Sequence, residues 1–243
     1  MTRPLNKTNS GKRSTARAKP PGVALLAPIE ARDLMLATLH RAPFSEQGWV
    51  YELKYDGFRI MVRKSGGQVE LVSRPGNSLN RSFPEIVAAV SDIPGDFVLD
   101  GELTVDTPTG RSDFERLRKR AVTSVASRVR AAAIDAPARL YLFDIMASNG
   151  RDLRGLPLVT RKEHLRACFE DTKTLIFVNG IVGAGHWVFE QVEQLDFEGM
   201  VAKRLQSTYH GGRSSDWRKI KFSGYSRQAA LGWGRIRQPS AGK

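Results

Sequence analysis

The sequence predicts an α+β fold, mostly antiparallel strands joined by hairpins with helices packed outside them. Three observations carry this expectation. The run Trp49–Arg63 alternates apolar and polar residues with the period of a strand, broken only at Asp56-Gly57. Gly66-Gly67 is a hairpin signal between that run and the next apolar one. Shorter segments with helical spacing and capping residues lie between the strands, and no internal repeat is visible.

Taken in order, residues 1–22 carry Arg3, Lys7, Lys12, Arg13, Arg17 and Lys19 among Thr, Ser, Asn, Pro and Gly, with no acidic residue before Glu30. So little apolar surface does not offset the entropy of ordering, and a disordered basic tail is expected. Residues 23–225 read as globular. Ala31–Arg41 has helical character, with Leu34, Leu36 and Leu39 apolar. Trp49–Arg63 is extended on either side of its glycine break, and Gln68–Ser73 is the second arm of the hairpin. Pro84–Val90 reads as a short helix and Phe97–Val105 as a strand. Ser112, with Glu115 three residues on, is the expected cap of a basic helix starting near Asp113. A strand over Arg139–Met146 and a helix over Thr160–Glu170, capped by Thr160, follow. Leu175–Val178 is a strand and Trp187–Leu195 a helix; Met200–Leu205 and Trp217–Phe222 close the set as strands.

The chain has 243 residues, a formal net charge of +13 and a pI near 10.2. That length suffices for a full core. The charge draws polyanions and speeds encounter with nucleic acid. No run approaches the roughly 18 to 20 apolar residues that span a bilayer, so a membrane partner is not expected. No apolar signal stretch follows the basic N-terminus, which points to a cytoplasmic, nucleoid-associated protein. A single cysteine, Cys168, excludes an internal disulfide and a cysteine-rich metal site.

Lys54-Tyr55-Asp56-Gly57 sets a lysine amine at the end of an alternating strand, with a carboxylate two residues on and a glycine turn after it. An amine can form a covalent bond to phosphorus, but at an unperturbed pKa near 10.4 only about one in 10³ is free at neutral pH. Burial and nearby cations lower such a pKa, and Lys203, Lys219 and Lys221 are the candidate cations. Glu102 and Glu198 are carboxylates suited to holding Mg²⁺, which screens a triphosphate from its nucleophile. Period 2 puts Glu52, Lys54 and Asp56 on one face of the strand, so one pocket can use all three.

Four further segments follow in order: Ser73-Arg74-Pro75-Gly76-Asn77, Leu99-Asp100-Gly101-Glu102, Glu198-Gly199-Met200-Val201-Ala202-Lys203 and Trp217-Arg218-Lys219-Ile220-Lys221. Together with the lysine motif, they resemble the nucleotidyltransferase motifs of ATP-dependent DNA ligases, above all the ligase domain of bacterial non-homologous end-joining ligases. The resemblance runs from about Leu25 to Tyr225. It implies an ATP-grasp-like nucleotidyltransferase fold and self-adenylation of Lys54 by ATP, with Mg²⁺. AMP would then pass to the 5′-phosphate of nicked or broken double-stranded DNA, as in repair and recombination. It also implies roles for the matching residues. Glu52 reads the adenine amino group, Phe143 stacks on the base, and Asp56 supports the lysine and ribose. Arg59 and Arg74 lie near ribose and phosphates, Glu102 and Glu198 serve ribose and metal, and Lys203, Lys219 and Lys221 contact phosphates.

Two departures stand out. Pro75 replaces the asparagine usual in the second motif, removing a backbone donor there, and Ser78 and Asn80 stand where Asp and Thr are common. Family ligases continue into an OB-fold of roughly a hundred residues, whereas Arg227–Gly234 resembles only the entry to it. Residues 226–243 are thus expected to be a flexible remnant of that link. Self-adenylation is expected to be slow unless an OB-fold protein or end-joining factor acts in trans. Two alternatives stand beside this reading, a non-catalytic nucleotide- or DNA-binding remnant and an RNA ligase or GTP-using capping enzyme.

Overall fold

The structure, a computed structural model, describes residues 29–225. The tail expected over 1–22 and the linker remnant expected over 226–243 lie outside the described residues. In chain order the strands and helices are β1 (Met35–Leu39), β2 (Trp49–Lys54), β3 (Phe58–Ser65), β4 (Gln68–Ser73), α1 (Pro84–Ser91), β5 (Phe97–Val105), α2 (Phe114–Ala121) and α3 (Ala126–Asp135). Then follow β6 (Ala138–Ser148), β7 (Arg151–Asp152), α4 (Leu158–Cys168), β8 (Leu175–Phe177), β9 (Ile181–Val182), α5 (Gly185–Gln194), β10 (Gly199–Arg204) and β11 (Gly212–Lys221).

Two sheets form, one ordered β1-β11-β10-β2-β9 and the other β4-β3-β5-β6-β7, with β8 beside β6. β1 with β11 and β6 with β8 are parallel; the other pairs are antiparallel, as the α+β reading requires. Period 2 sorts the side chains into layers. In β3, Ile60 and Val62 face a core shared with α1, α2 and α4, while Met61 faces the other sheet. In the first sheet Tyr51, Met200, Ala202 and Ile220 pack under α5 through Val188 and Val192. Met35, Met61, Tyr141, Phe143 and Trp217 fill the space between the sheets. The layers therefore run helices, sheet, sheet, helix, and each fully buried large apolar side chain contributes about 1.5–3 kcal/mol.

The break at Asp56-Gly57 does more than interrupt a strand. There the chain leaves the first sheet and enters the second, so β2 and β3 belong to different sheets. A Cβ on Gly57 would lie 2.2 Å from the backbone oxygen of Leu103, so the crossing needs glycine.

Several expectations are corrected. Ala31–Arg41 is not a helix: a short 3₁₀ turn at Ala31–Asp33 leads into β1, an edge strand beside β11. Leu34 and Leu36 are two apart, a strand spacing that local helix propensity masked. Asp113 rather than Ser112 caps α2, accepting from the Arg116 amide at 3.0 Å. α4 starts at Leu158, after Pro157, so Thr160 lies inside its first turn. α3 escaped notice because only Val129 of its residues is buried, leaving no apolar period to read. Among the described residues no helix is long and apolar enough to cross a membrane.

Candidate functional site

Strand register assembles one face of charges. Across the first sheet, Lys54 pairs with Gly199 and Gly199 with Lys221; Glu52 pairs with Val201 and Val201 with Lys219; Val50 pairs with Lys203 and Lys203 with Trp217. Every second residue of three strands thus points toward the second sheet. Between the sheets lies a cleft of about 270 Å³, which Glu52, Lys54, Lys203 and Lys219 line from this side. From the opposite sheet come Arg59, Arg74, Glu102 and Phe143.

Glu198 stands just before β10, where the register delivers it to Lys54. One of its carboxylate oxygens accepts from the Lys54 amine, and the other is 3.2 Å from the Lys221 amine. Burial opposes ionisation of Glu198, but the pull of Lys54 and then Lys221 holds its carboxyl below the usual range. The nearest charged partner of Lys54 is therefore a carboxylate, and the amine can attack only after leaving it. Only glycine fits at 199, because a Cβ there would lie 2.1 Å from the Ile220 oxygen. Lys219 is lowered by desolvation and then by repulsion from Lys221, Lys54 and Arg213, which marks this end as a cationic cluster.

Glu102 pairs with Arg59 on one side and Tyr141 on the other. Its pKa is pushed up to about 7, chiefly by desolvation, against the pull of Arg59 and Lys54. Glu198 adds to the rise, so the two carboxylates feel each other. No group of three or more His, Cys, Asp or Glu that could hold a metal occurs among the described residues. Two carboxylates fit a hard cation whose remaining ligands are water and substrate phosphate oxygens, the usual Mg²⁺ arrangement.

At the other end Glu52 is 3 % exposed and sits between two lysines, 2.5 Å from each of Lys162 and Lys203. Burial opposes its charge, yet the two cations hold its carboxyl below the ordinary value. Desolvation brings Lys203 down to about 8, still charged at neutral pH. Phe143 borders this end. The β5–β6 register slips where Asp100 faces Asp144 and Gly101 faces Leu142, so Phe143 is the extra residue of a bulge. Its ring has the Lys203 amine 4.2 Å above the centroid, the Arg59 guanidinium at 4.5 Å, and Trp217 edge-on at 6.2 Å.

Arg59 lines the cleft, but its Nε and Nη2 donors are committed elsewhere. It binds Asp100 at 2.5 and 2.6 Å and the Met35 oxygen at 3.1 Å. Asp56 is buried just beyond β2, where the Tyr225 hydroxyl lies 3.3 Å from its carboxylate. It is not among the cleft-lining residues, so the period-2 face ends at Lys54 with the strand. Pro75 leaves its turn intact, because Gly76 and Asn77 supply the donors to Ser73 and Asn80 bonds the β4 backbone on both sides.

The sequence profile of the family described as "ATP dependent DNA ligase domain" matches residues 35–221. The chain belongs to this family. Its membership puts it among enzymes of the ligase and nucleotidyltransferase type. It is 28% identical over 200 residues to the SPbeta prophage-derived DNA ligase-like protein LigB of Bacillus subtilis, covering 82% of this chain and 70% of that protein. To the multifunctional non-homologous end joining protein LigD of Pseudomonas aeruginosa it is 33% identical, over 71% of this chain but only 20% of the relative. Among solved structures, a mycobacterial DNA ligase D complexed with ATP and MES superposes with a TM-score of 0.67 at 27% identity, covering 80% of this chain and 62% of that one.

Some ligase-domain cleft residues were invisible to motif reading. Arg213 and Val178 line the cleft, and Lys162 holds Glu52, which does; Asp100, which stands inside the third motif but was given no role there, holds Arg59. For Arg213 a signal existed, since it precedes Trp217 at strand period on β11.

Proposed function

We propose that the chain forms a covalent lysyl-AMP at Lys54 from ATP and passes AMP to the 5′-phosphate of a nicked or broken DNA duplex, in repair or recombination. The carrying observation is the contact between Lys54 and Glu198 at one end of a cleft that has Glu52 and Phe143 at the other. An amine at one end and an apolar face with a buried acceptor at the other suit a nucleotide bound with its α-phosphate toward the amine. The neutral amine attacks that phosphorus, the P–N bond forms, the bond to the β-phosphate oxygen breaks, and the amine proton passes to solvent as pyrophosphate leaves. A DNA 5′-phosphate oxygen then displaces the lysine, and a 3′-hydroxyl finally displaces AMP. Mg²⁺ held by Glu102 and Glu198 would screen the triphosphate charge. Lys219, Lys221, Arg74 and Arg213 are the cations available to phosphate oxygens, whereas Lys203 is held against Glu52 at the base end, and Asp56 supports the lysine turn. Association with the nucleoid, and with an OB-fold or end-joining factor in trans, belongs to the same reading. The test is ATP labelled at the α-phosphate, which should mark the protein covalently; absence of any label rules the reading out.

Two further outcomes follow. Phe143→Leu keeps apolar volume but loses the flat ring, and ATP affinity should fall by about 1–3 kcal/mol, the scale of a base–aromatic stack. Calorimetric titration checks it, and unchanged affinity would reduce Phe143 to core packing. DNA binding should be steeply salt-dependent, with a contribution from α2. Arg120, the last basic residue of that helix, is 3 % exposed and bound to Glu85, so it cannot meet DNA. The exposed cations are Arg116 and Lys119. Converting both to Gln should lower the slope of log affinity against log salt by about 2, whereas Arg120→Gln should lower Tm and leave the slope alone.

A further inference from the structure

We propose that Lys162 is a positioning residue that sets purine selectivity, by fixing Glu52 as an ionised, acceptor-only carboxylate facing the cleft. The inference rests on the nucleotide reading above and deepens it.

Lys162 belongs to none of the ordered motifs. It lies on α4, yet its amine reaches the Glu52 carboxylate of β2 at 2.5 Å and the Val178 oxygen, just past β8, at 2.8 Å. It also stands 4.9 Å from the centroid of the Phe177 ring. One side chain therefore ties a helix to both sheets at the inner end of the cleft. Glu52 and Val178 both line that cleft.

Chemistry gives the arrangement a consequence. Lys162 takes one oxygen of Glu52 and Lys203 the other, so rotation of the carboxylate is blocked from both sides. Each oxygen retains a further lone pair. An ionised carboxylate only accepts hydrogen bonds, so it pairs with the exocyclic amine of adenine. Guanine presents a carbonyl oxygen at the same ring position, and two acceptors facing each other repel. A site built to bond one polar group rejects the analogue lacking it strongly, because its own buried group is left unpaired. Were Glu52 protonated, its hydroxyl would donate to that guanine oxygen and the discrimination would fade. Lys203 alone does not guard against this. It also approaches Phe143 and Trp217, at 4.2 and 4.3 Å from the ring centroids, so its charge is shared with those rings.

The experiment compares wild type, Lys162→Met and Lys162→Arg in two assays. One measures equilibrium binding of ATP and GTP; the other measures single-turnover covalent labelling from each. Wild type should prefer ATP by roughly 100-fold or more, and Lys162→Met should cut that preference at least about tenfold, mainly by weakening ATP binding. Lys162→Arg, which restores the cation, should regain most of the preference. Labelling at saturating ATP should persist in Lys162→Met, since Lys162 bonds Glu52 and the Lys54 amine bonds Glu198 instead. If Lys162→Met binds both nucleotides more weakly by the same factor, the residue is only a brace between the sheets and the proposal is overturned. Should Lys162→Met fold poorly, Lys162→Gln removes the charge while keeping a donor and is judged by the same ratio. Absence of covalent label in wild type would defeat the adenylation reading, while the binding ratio would still decide the role of Lys162.

Discussion

Lys54→Ala should lose covalent AMP attachment down to background while melting within a few degrees of the wild-type protein. The stability expectation comes from the surroundings of Lys54. Its side chain is 22% exposed, its ion pair among the described residues is with Glu198 alone, and Glu198 keeps Lys221 when that pair is lost. Such a partly exposed pair is worth about 0–1 kcal/mol. The activity expectation comes from bond making, since of the two amines on Glu198 only Lys54 lines the cleft; Lys221 does not. Lys54→Arg sharpens the test. A guanidinium keeps the charge and the contact to Glu198, but it stays protonated at any working pH and leaves no free lone pair for phosphorus. Both variants should therefore fail to label, while Lys54→Ala should still seal a nick that is supplied already adenylated, because that step breaks no bond to lysine. Normal labelling of a folded Lys54→Ala protein would remove Lys54 from the chemistry.

What the sequence made legible was set by strand periodicity and local order. Lys54, Glu52, Lys203 and Lys219 alternate along strands, and once those strands pair, period 2 alone brings them to one face. Phe97–Val105 matches β5 residue for residue. Partners across the cleft carried no such signal. Asp100 reads as an ordinary strand carboxylate until β5 brings it against Arg59, and Lys162 as a surface residue of a helix until α4 packs across β6. Arg120 shows the opposite error, because a run of basic residues looks solvated although one of them turns inward to Glu85. Side-chain direction on a short helix depends on what packs beneath it, and neighbouring residues do not announce that.

Arg59→Met should cost about 3–5 kcal/mol of stability, more than any other single change at the site's edge. Asp100 is fully buried, and its two oxygens accept from Arg59 at 2.5 and 2.6 Å and from the Tyr209 hydroxyl at 2.6 Å. Burial opposes the charge on Arg59, but Asp100 overrides it and holds the guanidinium more firmly charged than an ordinary arginine. The same guanidinium reaches the Met35 oxygen, while the Tyr209 hydroxyl accepts from the Met35 amide at 3.0 Å. Asp100 and Arg59 belong to the second sheet and Met35 to the first, so the network fastens one to the other. Removing the cation leaves a buried carboxylate with a single neutral donor, the situation in which a broken buried pair costs about 3–5 kcal/mol. For a domain of this size that is a fall in Tm of roughly 6–20 °C. A double variant, Arg59→Met with Asp100→Leu, should recover much of the loss, because the stranded charge is gone and apolar packing replaces it. Thermal unfolding of the three variants, read beside ATP affinity, separates bracing from ligand contact. If Arg59→Met keeps its Tm and loses only ATP affinity, Arg59 serves the nucleotide directly and the sheets are held together by other contacts.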